Sequence, residues 1–238
     1  MQLLNNLKVK IFADGADRNS MLAMNEHSLI QGLTTNPSLM RKAGVVDYRA
    51  FCQDILTHIT SKPLSFEVFS DDLKDMERQA HEIASWGDNV YVKIPVMNTQ
   101  QQPTYELINK LSSHGIKVNV TAIMTLAQVD EVVAVLNQDV ASYISVFAGR
   151  IADTGRDPVP VMAAAVAMAA RNPKAEVIWA SPRELLNVLQ ADQIGCQIIT
   201  ATPEIIAKLN MLGYDLNQYS LDTVKMFYQD AEAAAFVL

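Results

Sequence analysis

The chain has 238 residues, a net charge of −7, and 50% hydrophobic residues. This length fits one α/β barrel or two small domains, and the hydrophobic share is enough for a sizeable core. The acidic balance argues against a nucleic-acid partner, because binding phosphates needs clustered Lys and Arg.

The N-terminus and the cysteines indicate the compartment. The start "MQLLNNLKVK" lacks the charged region and apolar run of a signal peptide, and the longest apolar segment, residues 159–170, is too short to span a bilayer. The only two cysteines, Cys52 and Cys196, lie within apolar or helical patterns, which is typical of reduced core thiols. We therefore expect a soluble, cytoplasmic protein with no membrane partner.

Short β-rich segments alternate with helical patterns along the whole chain. The eight predicted strands are residues 9–14, 29–35, 64–69, 90–96, 117–123, 142–149, 176–181 and 196–202. Amphipathic helices are predicted at 73–86, 104–114, 126–137, 159–171, 183–191 and 203–209, many of them preceded by a capping residue or proline.

Eight β/α units of about thirty residues fill the length, and no linker marks a domain boundary. The sequence therefore predicts an α/β fold with a single (β/α)8 TIM barrel over residues 1–238. A Rossmann-like open sheet is the alternative. It would need a Gly-rich phosphate loop after the first strand, and "ADGADRN" is not one.

Residues 220–238 predict an extra C-terminal helix. Ser220 can cap it, and an apolar stripe follows at helical spacing, formed by Leu221, Val224, Tyr228, Ala231 and Ala235, with Phe227 beside it. Such a stripe needs cover, either from its own barrel or from a neighbouring subunit.

In a barrel of this kind, the active site lies where the strands end. The candidate site residues found there, in chain order, are Asp14, Thr35, Asn36, Ser65, Glu67, Lys93, Asn119, Thr121, Phe147, Arg150, Ser181 and Arg183. Taken alone, Asp14 could equally be the N-cap of the following helix.

A single lysine, Lys93, stands in the middle of the apolar strand "VYVKIPV". Burial without a partner lowers the pKa of a lysine and leaves a nucleophilic amine, although a lysine near a strand end can also extend to water. Strand alternation directs Glu67, Lys93 and Thr121, from three neighbouring strands, into one barrel mouth. This coincidence favours a functional lysine.

A desolvated lysine among carboxylates and hydroxyls suits a Schiff-base enzyme, in which the amine condenses with a ketone. Asp14 and Glu67 lie in unlike settings, so that one can act on substrate hydroxyls while the other orients a water with Thr121. A purely structural Glu67–Lys93 ion pair would give the same sequence pattern.

Arg150, Ser181 and Arg183 follow the sixth and seventh predicted strands, close to where many barrels bind a phosphate. Guanidinium groups and a hydroxyl fit phosphate geometry, and we expect a small phosphorylated ligand. Arg156 and Arg171 are expected to form ordinary surface salt bridges.

Five fragments at strand ends resemble the transaldolase family, including its shorter class and the related fructose-6-phosphate aldolases. They are "TTNPS", "VKIPV", "NVTAI", "FAGRI" and "ASPRE", and the similarity extends from Asp14 to about Leu209. The resemblance implies a class I aldolase-type barrel that transfers a dihydroxyacetone unit between sugar phosphates through an imine on Lys93, without a metal or cofactor. It also implies the pentose phosphate pathway, with fructose 6-phosphate or sedoheptulose 7-phosphate as donor, and a pentameric or decameric homo-oligomer.

The resemblance also implies a role for each site residue. Asp14 would be the acid/base at the substrate's C4 hydroxyl, and Glu67 and Thr121 would hold the catalytic water. The substrate would be bound by the remaining candidates: Asn36 and Asn119 at the dihydroxyacetone unit, with Thr35, Ser65 and Phe147 nearby, and Arg150, Ser181 and Arg183 at the phosphate.

Two positions help to distinguish a transaldolase, which transfers the dihydroxyacetone unit, from an aldolase, which releases it. The aldolase branch has Gln where Glu67 stands and Tyr where Phe147 stands, so this chain carries the transaldolase pair. The loops "DGADRN", "SPR" and "RIADTGRDPVPV" depart from the usual pattern on the phosphate and acceptor side. An aldolase that releases dihydroxyacetone, or a non-catalytic sugar-phosphate-binding barrel, therefore stays open.

Overall fold

The computed structural model describes residues 4–237, in which eight parallel strands close into a barrel. The strands are β1 (Lys10–Asp14), β2 (Ile30–Thr34), β3 (Leu64–Glu67), β4 (Val90–Pro95), β5 (Val118–Ile123), β6 (Ser142–Val146), β7 (Ala175–Trp179) and β8 (Ile198–Ala201). Neighbours in sequence pair with each other, and β8 pairs with β1. Each strand overlaps its predicted segment, and the predicted (β/α)8 fold is confirmed. Residues 1–3 and 238 of the predicted domain lie outside the described residues.

The helices cover the outside of the barrel strands or follow them at the rim. They are α1 (Arg18–Glu26), α2 (Pro37–Lys42), α3 (Tyr48–His58), α4 (Leu73–Ala84), α5 (Tyr105–Ser113), α6 (Leu126–Val135), α7 (Ala148–Ala152), α8 (Pro158–Ala169), α9 (Leu186–Gln193), α10 (Pro203–Ala207) and α11 (Leu216–Ala233). No bounds were predicted from the sequence for α1, α2, α3 or α7. Helix α9 begins three residues later than predicted. The side-chain oxygen of Asn187 accepts from the N–H groups of Arg183 and Glu184, which holds these two residues in a turn before the helix.

Asp14 is not a helix N-cap. Helix α1 is capped by Asp17, whose Oδ1 accepts from the N–H of Ser20 at 2.8 Å. The carboxylate of Asp14, at the end of β1, is therefore left for the barrel mouth.

The C-terminal helix α11 begins earlier than predicted. Asp215, not Ser220, is its N-cap, because the Asp215 carboxylate accepts from the N–H of Gln218 at 2.8 Å and starts the helix at Leu216. The helix ends at Ala233. Within this fully described helix no side chain is buried, so the stripe that includes Val224 is not covered by its own barrel.

The inside of the barrel is filled below the mouth by aromatic and aliphatic side chains. Tyr143 stacks on Tyr91 with ring centroids 4.0 Å apart, and it meets Phe12 edge-on at 5.7 Å. A Cβ at Gly32 would lie 2.5 Å from the Phe12 ring, which explains the glycine on this strand. These rings form a floor, and Lys93 stands two residues further along β4 than Tyr91.

As predicted, Cys52 and Cys196 are buried, free thiols in the described structure, and burial raises the pKa of each to about 12. Among residues 4–237, the structure contains no helix that could cross a membrane.

Candidate functional site

A cavity of about 440 Å³ opens at the C-terminal end of the barrel strands. The predicted site residues that line it are Asp14, Asn36, Glu67, Lys93, Asn119, Thr121, Phe147, Arg150 and Ser181. Other lining residues with chemical groups of interest are Thr34, Ser38, Ser145 and Thr200. Three predicted residues, Thr35, Ser65 and Arg183, do not line it.

Lys93 is buried at the base of the cavity, and its side chain is only 7% exposed. Its Nζ lies 3.0 Å from Oε2 of Glu67 and donates to the backbone oxygen of Thr35 at 2.7 Å. The parallel register of β3 and β4 sets Glu67 directly beside Lys93, which brings the two side chains together. The amine is therefore held inside the barrel by a carboxylate and does not extend to bulk water.

A chain of hydroxyls leads to Asp14. Thr34 Oγ1 donates to Asp14 Oδ1 at 2.8 Å and lies 2.5 Å from Thr200 Oγ1. Because Thr34 gives its proton to the carboxylate, Thr200 must donate to Thr34. Burial raises the pKa of Asp14, and the ammonium of Lys93 and the Thr34 hydrogen bond offset part of this effect. A carboxyl with a raised pKa is suited to exchanging protons with a substrate.

Asn119 is fixed between two serines on the inner surface of the barrel. Its Nδ2 donates to Ser65 Oγ at 3.0 Å, and Ser145 Oγ donates to its Oδ1 at 2.7 Å. Ser65 thus orients a cavity residue from behind. Thr121 differs, because its buried Oγ1 has no hydrogen-bond partner within residues 4–237 although the residue lines the cavity. A buried hydroxyl without a partner is uncommon in folded proteins, and this one belongs to a residue of the cavity wall.

The two residues after β2 contribute to the site in different ways, one through its backbone and one through its side chain. The Thr35 side chain turns away and donates to the backbone oxygen of Ser65 at 3.0 Å, while its own carbonyl accepts from Lys93. Asn36 reaches the cavity, but its Oδ1 also caps α2 by accepting from the N–H of Leu39 at 2.9 Å.

The loops after β6 and β7 pack against each other at the far side of the cavity. Arg150 and Ser181 line the cavity there. The guanidinium of Arg183 donates to both carboxylate oxygens of Asp153, at 2.9 and 2.5 Å, and to the hydroxyl of Ser181 at 2.8 Å. The Arg183 hydrogen bond keeps the pKa of Asp153 below its usual range. A Cβ at Gly149 would lie 1.6 Å from the Ser181 carbonyl oxygen, so this contact needs a glycine.

Residues 11–238 match the family described as "Transaldolase/Fructose-6-phosphate aldolase". The chain belongs to this family. The family resemblance predicted from the strand-end fragments is therefore confirmed, and membership implies an enzyme that uses sugar phosphates.

Relatives of this transaldolase/fructose-6-phosphate aldolase family member carry the name "Probable transaldolase". The protein from Streptococcus equi subsp. zooepidemicus (strain MGCS10565) is 35% identical over 202 residues, covering 84% of this chain and 90% of that protein. The one from Thermoanaerobacter sp. (strain X514) is 32% identical over 226 residues, covering 94% and 98%. The one from Nitrosopumilus maritimus (strain SCM1) is 31% identical over 227 residues, covering 94% and 97%.

The fold is also similar to a crystal structure described as a "putative phosphonomutase from Burkholderia cenocepacia J2315". The TM-score is 0.59 and the sequence identity 12%, with 96% of this chain and 97% of that chain covered. At this identity the likeness concerns the barrel fold alone.

The sequence analysis of this family member missed several site residues. Ser145 and Thr200 are small hydroxyl residues inside apolar strands, and the alternation that places Ser145 on the same face as Phe147 could have found the first. Tyr48, whose hydroxyl donates to the backbone of Glu67, gave no local signal because it lies on α3, outside the barrel. Within residues 4–237, no three His, Cys, Asp or Glu side chains are grouped so that they could hold a metal ion.

Proposed function

We propose that this chain is a transaldolase that forms a Schiff base through Lys93 and transfers a dihydroxyacetone unit from a ketose phosphate to an aldose phosphate. The donor would be fructose 6-phosphate or sedoheptulose 7-phosphate, in the pentose phosphate pathway. The observation that carries this proposal is the position of the Lys93 amine, which is buried at the base of the cavity and lies 3.0 Å from the Glu67 carboxylate.

Imine formation begins when the unprotonated amine attacks the ketone carbon. Glu67 is close enough to take the ammonium proton first and to return it to the departing carbinolamine hydroxyl, which leaves as water. We assign the holding of that water to Thr121, whose hydroxyl has no partner among residues 4–237. The products of this stage are the protonated imine and one water molecule.

Carbon–carbon cleavage follows at the imine. Asp14 takes the proton of the C4 hydroxyl while the C3–C4 electron pair moves toward the imine, which gives an enamine and an aldose phosphate. The enamine then attacks the aldehyde carbon of the acceptor, and Asp14 returns its proton to the new hydroxyl. Water hydrolyses the resulting imine, which releases the product ketose phosphate and restores the Lys93 amine. The raised pKa of Asp14 supports this exchange.

The residue at position 147 supports transfer over release. Release of dihydroxyacetone needs a proton on the enamine carbon, and Phe147 offers a ring without a hydroxyl. Arg150 and Ser181 would bind the phosphate end of the substrate, with Arg183 held beside them by Asp153.

Borohydride trapping tests the proposal. We expect mass spectrometry after incubation with fructose 6-phosphate and borohydride to find an adduct on Lys93. Lys93→Arg should give no adduct, because a guanidinium stays protonated and cannot attack a ketone. Lys117→Arg is the matched control, since Lys117 donates to the backbone of Asp88 outside the cavity lining.

An adduct on another lysine would refute the assignment of Lys93. Absence of any adduct on the wild-type chain would favour a sugar-phosphate-binding barrel without Schiff-base chemistry.

A further inference from the structure

Tyr48 contacts the backbone of Glu67 from outside the cavity. It is the first residue of α3, and its hydroxyl donates to the carbonyl oxygen of Glu67 at 2.8 Å and accepts from the Glu67 N–H at 2.9 Å. Burial raises the pKa of this phenol, so the hydroxyl stays protonated and can serve as donor and acceptor together.

The strand pairing explains why Glu67 needs this partner. The β2–β3 ladder pairs Leu33 with Leu64 and Thr34 with Ser65, and the N–H of Thr35 still donates to the oxygen of Ser65 at 3.1 Å. The chain then leaves the sheet and enters α2 at Pro37.

Glu67 lies two residues beyond Ser65, so its N–H and C=O point toward the same side, where β2 has ended. On the other side the ladder continues, because the N–H of Val68 donates to the carbonyl of Lys93 at 3.0 Å. Within the described chain, the Tyr48 hydroxyl takes the place of the missing strand for both backbone groups of Glu67.

We propose that Tyr48 is a positioning residue for the reaction: it fixes the end of β3 so that the Glu67 carboxylate stays against the Lys93 amine. This inference rests on the proposed Schiff-base function. A residue that never touches the substrate thereby sets the geometry of the first proton transfer.

The ring of Tyr48 is anchored separately from its hydroxyl. It packs against Phe69 and Trp86, with ring centroids 5.4 and 6.3 Å apart. Tyr48→Phe therefore keeps this packing and deletes the contacts of the hydroxyl, which are the two hydrogen bonds to Glu67 and one with the Cys52 thiol.

The test measures kcat, KM and the rate of borohydride-trappable imine formation with fructose 6-phosphate. We expect Tyr48→Phe to lower kcat and the trapping rate by about tenfold, because small misplacements of catalytic groups slow reactions strongly. KM should stay within about twofold, since the substrate contacts are untouched. Phe69→Leu is the control, because it alters the ring packing without touching Glu67.

A double-mutant cycle asks whether Tyr48 acts through Glu67. In a Glu67→Gln background, Tyr48→Phe should slow trapping by less than about twofold, because the carboxylate that it positions is already gone. An undiminished loss in that background would show a general effect on the fold and overturn the inference.

Two further results separate the possible failures. A wild-type protein that traps imine, with unchanged rates in Tyr48→Phe, overturns this inference alone. A wild-type protein that traps none overturns the proposed function and this inference with it.

Amide hydrogen exchange on the wild-type chain covers the case in which the variant does not fold. We expect a protected Glu67 amide, and rapid exchange there would contradict the Tyr48 hydrogen bond.

Discussion

Asp14 and Glu67 both reach the cavity, but their neighbours differ at the scale of single residues. Glu67 lies against the amine of Lys93, whereas Asp14 accepts a hydrogen bond from the neutral hydroxyl of Thr34. Burial is the largest influence on Asp14, and it raises the pKa of that carboxyl. The two carboxyls are thus placed for different proton transfers.

The raised pKa of Asp14 predicts a pH-dependent stability difference. A folded-state pKa above the unfolded value means that ionised Asp14 destabilises the fold as the pH rises through the folded pKa. We expect Asp14→Asn to increase the free energy of unfolding at pH 7.5, by about 1.4 kcal/mol for each unit of raised pKa. The gain should vanish below about pH 3, where the carboxyl is protonated in both states. Transferase activity should be lost.

Urea unfolding of the two proteins across this pH range measures the effect. Asp17→Asn is the control, because asparagine caps a helix about as well as aspartate. A difference between wild type and Asp14→Asn that is independent of pH would contradict the prediction.

The side chains of Phe147 and Glu67 are expected to set the balance between transfer and release of the dihydroxyacetone unit. Changing Phe147 to Tyr and Glu67 to Gln places a new hydroxyl in the cavity, which can protonate the enamine. We expect the release of dihydroxyacetone without an acceptor to rise at least about tenfold relative to transfer, since positioned acids contribute at least this much. Phe147→Leu, which adds no hydroxyl, should show no such rise. If the wild-type enzyme already releases dihydroxyacetone as fast as it transfers it, the transferase proposal is wrong.

At the scale of elements, the phosphate end of the cavity depends on how α7 meets the loop after β7. Gly149 in α7 approaches the Ser181 carbonyl so closely that no side chain fits between them. Ser181 itself has a φ of 61°, in the left-handed region, so this loop is held in a conformation that a free chain would seldom adopt.

We expect Gly149→Ala to push the Ser181 loop away from Arg150. The free energy of unfolding should fall by about 1–3 kcal/mol, as in other overpacked sites. The KM for fructose 6-phosphate should rise about tenfold, because the phosphate contacts are displaced. Gly15→Ala is the matched control, since a Cβ there meets no heavy atom within 4 Å and should leave stability and KM unchanged. Equal effects of both substitutions would contradict the close-contact explanation.

At the scale of the whole molecule, helix α11 stands out because its apolar side chains face solvent. Val224 is 59% exposed and Phe227 62% exposed. Contiguous exposed apolar surface of this kind marks an interaction site. The partner that we propose is a second copy of this chain, consistent with the oligomers that the family resemblance implies.

We predict a homo-oligomer larger than a dimer, held together by α11. Light scattering on the intact protein should give a mass above that of a dimer, and Val224→Glu with Phe227→Glu should lower it. The barrel should keep its circular dichroism spectrum, because these side chains are not buried within the chain. Lys225→Glu, which adds negative charge to the same helix, controls for charge. A monomer or dimer mass for the intact protein would contradict the prediction. An unchanged mass for the double variant would show that α11 does not stabilise the oligomer.

The sequence by itself determined the barrel and the core of the candidate site. Eight β-rich segments with helices between them fill the length of one barrel. Alternation along β3, β4 and β5 predicted that Glu67, Lys93 and Thr121 face the same cavity, and all three line it. Such features are readable because the direction of a strand side chain follows from local backbone geometry.

Only the tertiary structure decided which hydrogen-bond or ion-pair partner each polar group of the site has. Thr34 and Thr200 are 166 residues apart in sequence, yet their hydroxyls form one chain that ends at Asp14. Arg183 is a predicted phosphate ligand, and the structure adds a partner that the sequence did not show, because Asp153 accepts hydrogen bonds from its guanidinium. Tyr48 reaches Glu67 only because β2 ends before β3 does. Hydrogen bonds join atoms about 3 Å apart, and only closure of the barrel sets which distant residues come within that reach.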